Sequence, residues 1–186
     1  MKSKNIRGQM EMSVGTIVTI VLLVTLLILG VVLIKNIFTS AKGVVDLTDQ
    51  QLRSQISQLF SSEDQITIYP GTRLIEIKQE STDGVGIGIK NLLTGTAGTM
   101  TFSYQVKSTD VSNCGVTNAV ADSWIIVGKS ESNIAIASGD LASRKVLFNI
   151  PVGTPLCTAR YSVTVTTSDG KVYGHGDYFD VTIQAK

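Results

Sequence analysis

Residues Val14 to Ile34 read VGTIVTIVLLVTLLILGVVLI, 21 positions without a charge. The charge-free gap is wider still, covering the 23 residues between Glu11 and Lys35. As a helix rising about 1.5 Å per residue, the run spans about 31 Å, close to the roughly 30 Å hydrocarbon core of a bilayer. Its polar members, Thr16, Thr19 and Thr25, can return their hydroxyls to the helix backbone. A helix buried in a soluble core would show a polar face, and this one has none. The run also explains why only 17% of the chain is charged, where a soluble domain carries about 25%.

The flanks set an orientation. Lys2, Lys4 and Arg7 precede the run, opposed only by Glu11, while Lys35 and Lys42 follow it and are balanced by Asp46 and Asp49. Lys and Arg near the ends of a span favour the inside, which places the N-terminus in the cytoplasm and the rest of the chain outside. Thr39-Ser40-Ala41 could serve as the cleavage site of a secretory signal peptide. The apolar run is, however, longer than the ~7–15 residues such peptides carry.

A different cleavage site lies before the run. Lys4-Asn5-Ile6-Arg7-Gly8-Gln9 resembles the class III signal peptide of archaeal type IV pilin-like proteins, in which a short basic leader ends in Gly. The resemblance covers about 35 residues. It implies a dedicated leader peptidase that cuts between Gly8 and Gln9, after which the apolar helix stays on the protein and bundles into a filament core with other copies. The cut would remove Lys2, Lys4 and Arg7 from the 16 basic residues, leaving 13 against 15 acidic ones. The family carries a Glu at the fifth position after the cut, thought to offset the freed α-amino group during assembly. Here Glu11 would be the third residue, and it is the assembly residue the resemblance implies. An uncleaved membrane anchor is the alternative.

Past Lys35 the helical pattern continues. Val44, Leu47, Leu52, Ile56, Leu59 and Phe60 form one apolar stripe, and Gln50, Gln51, Arg53, Gln55 and Gln58 fill the other face. Gly43 is the expected kink and Ser61–Asp64 the expected end. The stripe needs a partner: the following domain, a lipid surface or a neighbouring subunit. The chain thus divides into a basic leader (1–8), a hydrophobic helix with an amphipathic stalk (9–62) and an extracytoplasmic domain (63–186).

From Gln65 onward, alternation replaces helical periodicity. Nine strands are predicted: 66–69, 73–79, 85–92, 99–107, 123–128, 133–137, 143–150, 159–167 and 178–183. Tyr161, Val163 and Val165 alternate with Ser162, Thr164 and Thr166, as in antiparallel strands with one wet face. The overall expectation is α+β: a long N-terminal hydrophobic helix, for membrane or filament core, followed by an antiparallel immunoglobulin-like β-sandwich. Asp169-Gly170 predicts a two-residue hairpin. Tyr161 is the candidate for a tyrosine corner, its hydroxyl returning to the backbone of the preceding loop, and Trp124 begins a strand as a core anchor. Gly84, Gly86 and Gly88 alternate with Val85, Ile87 and Ile89, leaving a bare strand face that the stalk helix could approach closely.

The only two cysteines, Cys114 and Cys157, both lie beyond the apolar run and predict a disulfide stapling two loops at one end of the sandwich. A zinc site would need about four ligands, and His175 is the only His, placed in a Gly174-His175-Gly176 loop. No nucleophile elbow, calcium loop or dinucleotide fingerprint is present, so neither catalysis nor a cofactor is expected. With 16 basic and 15 acidic residues, nucleic acid is not an expected partner. The expected partners are the membrane, further copies of the chain through the helix, and the leader peptidase. The expected setting is the cell surface, with an adhesive role.

Overall fold

A computed structural model describes residues 14–39, 43–93 and 100–186, and within the first of these the side chains of 15–32. The chain forms two compact units, Met1–Ala41 and Lys42–Lys186. In the first unit, α1 runs Val14–Thr39, five residues beyond the uncharged run. Thr19 donates its hydroxyl to the Gly15 carbonyl at 2.5 Å, and Thr25 donates to Val21 and Leu22 at 2.9 Å. Those bonds let two hydroxyls sit in an apolar helix without a penalty for unmet polarity.

The second unit opens with a 3₁₀ turn at Val44–Asp46 and helix α2 at Asp49–Leu59. Thr48 starts α2 with a capping box. Its hydroxyl accepts from the Gln51 N–H, and the Gln51 side chain accepts from the Thr48 N–H. The amphipathic segment is therefore a separate helix with its own start. It belongs to the same compact unit as the strands. The reason is its stripe: Val44, Leu47, Leu52 and Ile56 form a cluster of their own with Phe60, Tyr69, Leu141 and Leu147.

Among the described residues nine strands follow: β1 Ile66–Tyr69, β2 Leu74–Lys78, β3 Thr82–Lys90, β4 Met100–Asp110, β5 Ile125–Val127, β6 Ser130–Ile136, β7 Leu141–Asn149, β8 Thr158–Thr167 and β9 Val172–Gln184. A short helix, α3 Asn118–Ser123, precedes β5 and takes the first residue of the predicted strand at 123–128. The strands form two sheets in the orders β1-β3-β7-β5 and β2-β9-β8-β4-β6. In immunoglobulin lettering these are A-B-E-D and A′-G-F-C-C′, the layout of an immunoglobulin-like sandwich. One difference is specific to this chain: it visits the D position before the C′ position. All pairings are antiparallel except β2 with β9. The edge strand switches sheets between β1 and β2, where the Tyr69–Pro70 peptide bond is cis.

The inner faces of the two sheets meet in one core. Val85, Ile87, Val146 and Phe148 from the first sheet pack against Phe102, Val106, Tyr161, Val163 and Phe179 from the second, all fully buried. The Phe148 ring lies 4.9 Å from Tyr161 and 5.9 Å from Phe179 across the layers, and the latter two stack at 5.6 Å within the second sheet. On its other face the first sheet carries α2. A Cβ on Gly86 would lie 2.4 Å from Leu52 Cδ1, and one on Gly88 would lie 2.3 Å from Ile56 Cγ2. The bare strand face is thus the seat of the amphipathic helix.

Two local expectations are corrected. The β8–β9 connection is a three-residue loop, Ser168–Gly170: the Gly170 N–H donates to Thr167 O, the Thr167 N–H donates to Lys171 O, and Gly170 takes φ +78°. That is a type I turn closed by a left-handed glycine, not the two-residue turn expected. Gly174-His175-Gly176 is not a loop between elements. It is a bulge inside β9, where the register jumps from Val163–Asp177 to Val165–Tyr173. Gly174 and Gly176 supply the positive φ values, 75° and 71°, that the bulge needs.

Candidate functional site

Helix α1 has one chemical property. From Ile17 to Val32, thirteen large aliphatic side chains surround it, each at least 48% exposed. The stretch Gly15–Val32 is long and apolar enough to cross a membrane by length and composition. Such a surface does not persist bare in water. Covering it is favourable by ~25 cal/mol per Å² of apolar area removed from water. Gly8, Gln9 and Glu11 lie outside the described residues.

The second feature is the end of the sandwich where β4, β7 and β8 end or begin. Cys114, in a 3₁₀ turn after β4, is bonded to Cys157, just before β8, with Cα atoms 5.1 Å apart. The bond staples two loops across the β4–β8 pair within one sheet, as the sequence predicts. It is not a bridge between sheets. Cys114 is 1% exposed and Cys157 packs on the core, so the sulfurs are shielded.

Tyr161 reinforces the same end by a route the sequence did not predict. Its hydroxyl donates to the Ala121 carbonyl in α3 at 2.9 Å, forty residues upstream. The tyrosine-corner expectation is corrected accordingly. The Pro151–Cys157 loop is reached by Gln79, whose side chain donates to Thr154 O. Helix α3 lies over the core where the Tyr161 ring points. Burial, together with the Asp122 carboxylate, pushes the Tyr161 phenol well above its ordinary value. Helix α3 is pinned further by Asp122, which accepts from the Ser108 N–H at 2.7 Å, and by Ser108, whose hydroxyl donates to Asn118 O at 3.1 Å. Trp124 is buried at the end of α3, ahead of β5 rather than inside a strand, and its carbonyl accepts from the Asn149 N–H. Helix α3 was missed because its six residues bury only Ala121. The available signal was Thr117, whose side chain caps it.

Charged groups around Tyr178 on β9 form a separate cluster. Arg160 grips Asp180 with two bonds of 2.8 and 2.9 Å and lies 4.8 Å from the centre of the Tyr178 ring. Arg73 bonds Asp177 at 3.0 Å and faces the same ring at 5.6 Å. Burial raises the Asp177 carboxyl despite that guanidinium. Asp177 and Asp180 are thus paired anchors of β9, and His175 stands exposed beside them. Among the described residues no group of three or more His, Cys, Asp or Glu could hold a metal ion.

No family model and no curated protein matches the chain. Among solved structures it is similar to the periplasmic chaperone SfaE, at 6% identity over 65% of this chain and TM-score 0.43. It is also similar to the CARDB domain of PF1109 from Pyrococcus furiosus, at 13% identity over 64% of this chain and 87% of that one, TM-score 0.39. A third is PapD-like domain 7 of human CEP192, at 13% identity over 66% and 85%, TM-score 0.38. The chain spans 57% of the length of the chaperone. Likeness at this level carries no argument about activity, and the sandwich assignment rests on the strand order above. An apolar N-terminal helix with a disulfide-bonded immunoglobulin-like sandwich is consistent with a domain exposed at a surface.

Proposed function

We propose that the protein is a structural subunit of a type IV pilin-like archaeal surface filament. Its N-terminus begins in the cytoplasm, its sandwich lies outside, and a leader peptidase cuts between Gly8 and Gln9. The single observation that carries the reading is α1, apolar on every side and attached to a domain with its own complete core. Lipid covers such a helix before assembly, and helices of other copies cover it afterwards. Loss of Lys2, Lys4 and Arg7 removes three charges that would hold the helix end at the cytoplasmic surface. Glu11 would then offset the freed α-amino group, because a lone charge in an apolar bundle is costly. The sandwich faces outward for adhesion or surface contact. The test is Gly8→Phe in the native host. Unprocessed precursor retained in the membrane, with no filaments, is expected; normal filaments from the variant would overturn the reading.

A second reading is an uncleaved, single-pass envelope protein whose sandwich binds a partner outside the cell. The position of Glu11, third rather than fifth after the cut, favours it. A chain that retains Met1 and stays monomeric in its membrane would establish it.

A further inference from the structure

The sandwich is open along one side. In the first sheet, β5 pairs only with the end of β7, at Leu147 and Phe148. The edge of β7 from Leu141 to Arg144 that faces away from β3 therefore carries no strand. In the second sheet, β6 is the outermost strand. A groove of about 1000 Å³ opens between these edges and extends to α2.

Three side chains from three strands and both sheets meet in it. Glu131 of β6 stands opposite Tyr104 of β4 in the strand register. Arg144 of β7 stands opposite the core residue Ile87 and so faces between the sheets. Its Nε and Nη2 donate to the two Glu131 oxygens at 2.6 and 2.9 Å. Tyr104 is only 3% exposed, lines the groove, and its hydroxyl has no hydrogen-bond partner among the described residues. Burial and then the Glu131 carboxylate push its phenol up to about 12, so it stays a neutral donor at physiological pH. At the rim, Arg53 bonds Asp140 at 2.6 Å and Lys145 lies 3.5 Å from Asp49.

The lining restricts the ligand class. Three cations and three carboxylates, paired one to one, leave no net charge to attract a polyanion or a polycation. An extended peptide adding to a sheet edge would need free backbone groups. Of the four backbone groups that Leu141 and Ser143 turn to this edge, the Leu141 N–H is taken by Asp140 and the Ser143 carbonyl by Arg144, which leaves a strand one donor and one acceptor. The β6 edge is broken at Asn133, which has φ +60° and sits at a register shift. What the groove does offer is a fixed set of donors and acceptors side by side, with one unmatched phenol at its base. Adjacent hydroxyls of a sugar, each both donor and acceptor, match that set. Its volume is at the upper end of the ~300–1,000 Å³ of ligand sites.

We infer that this groove binds a neutral oligosaccharide, with Tyr104, Glu131 and Arg144 as its inner contacts and Arg53 and Asp49 at the rim. The site lies wholly within the sandwich unit and does not depend on filament assembly. The test is titration calorimetry of the detergent-solubilised full chain against neutral trisaccharides of glucose, mannose, galactose and N-acetylglucosamine. Binding of at least one trisaccharide is expected, with Tyr104→Phe and Arg144→Gln each weakening it tenfold or more. Tyr104→Phe keeps the buried ring, so its fold is preserved. Arg160→Gln, on the outer face of the second sheet, is expected to bind as the parent does. The inference is overturned if no trisaccharide binds, if Tyr104→Phe leaves binding unchanged, or if the groove takes a polyanion or a peptide instead.

Discussion

Gly84, Gly86 and Gly88 set how closely neighbouring groups approach β3. At Gly84 an added Cβ would lie 1.9 Å from the Val146 carbonyl oxygen, and backbone cannot yield as a side-chain tip can. At Gly88 it would press on Ile56 and Phe60. Gly88→Ala should therefore destabilise the sandwich unit by about 1–3 kcal/mol, as overpacking does, and Gly84→Ala by more. Urea unfolding midpoints check the order. Asp169 provides a pH prediction. The Thr167 hydroxyl first, and Lys171 second, hold its carboxyl at about 2. Because the folded value is lowered, the contribution of the ionised form is complete above the unfolded value near pH 4. It is lost as pH falls through about 2. Asp169→Asn should flatten the fall in thermal midpoint between about pH 4 and 2, measured by circular dichroism.

At the scale of elements, α2 depends on its own start. Thr48→Ala removes half of the capping box and should cost about 1 kcal/mol, read as faster amide exchange through Asp49–Leu59 than in β3. Strands such as β2 and β8 were legible in the sequence because each buries one face, and Tyr161, Val163 and Val165 are buried as their alternation requires; β3, covered on both faces, was legible by its glycines alternating with Val85, Ile87 and Ile89. Helix α2 was legible by its stripe. Its membership of the sandwich was not, since nothing in an apolar stripe names its partner; only the glycines of β3 hinted at the seat. The early part of β9 was hidden because Gly174 and Gly176 serve a bulge as readily as a loop. The groove was the least legible feature. Tyr104, Glu131 and Arg144 are separated by 27 and 13 positions and meet only through sheet pairings that local patterns do not encode.

At the scale of the whole molecule, the two units differ in what they expose: α1 shows aliphatic side chains on every side, whereas the sandwich closes its apolar residues into its own core. The sandwich relies on its staple. The Cys114–Cys157 bond closes a sequence separation of 43 residues and should contribute about 4 kcal/mol in the chain-entropy account. Cys114→Ser with Cys157→Ser should lower stability by about that amount, measured by urea denaturation, while Tyr161→Phe should cost a further ~1 kcal/mol by stranding the bond to Ala121. The helix relies on what surrounds it, and in the proposed filament role a leader is removed before copies of it assemble. The most direct test is the intact mass of the protein extracted from its native membrane. A chain that begins at Gln9 is expected; a mass matching the chain from Met1 would overturn the filament role.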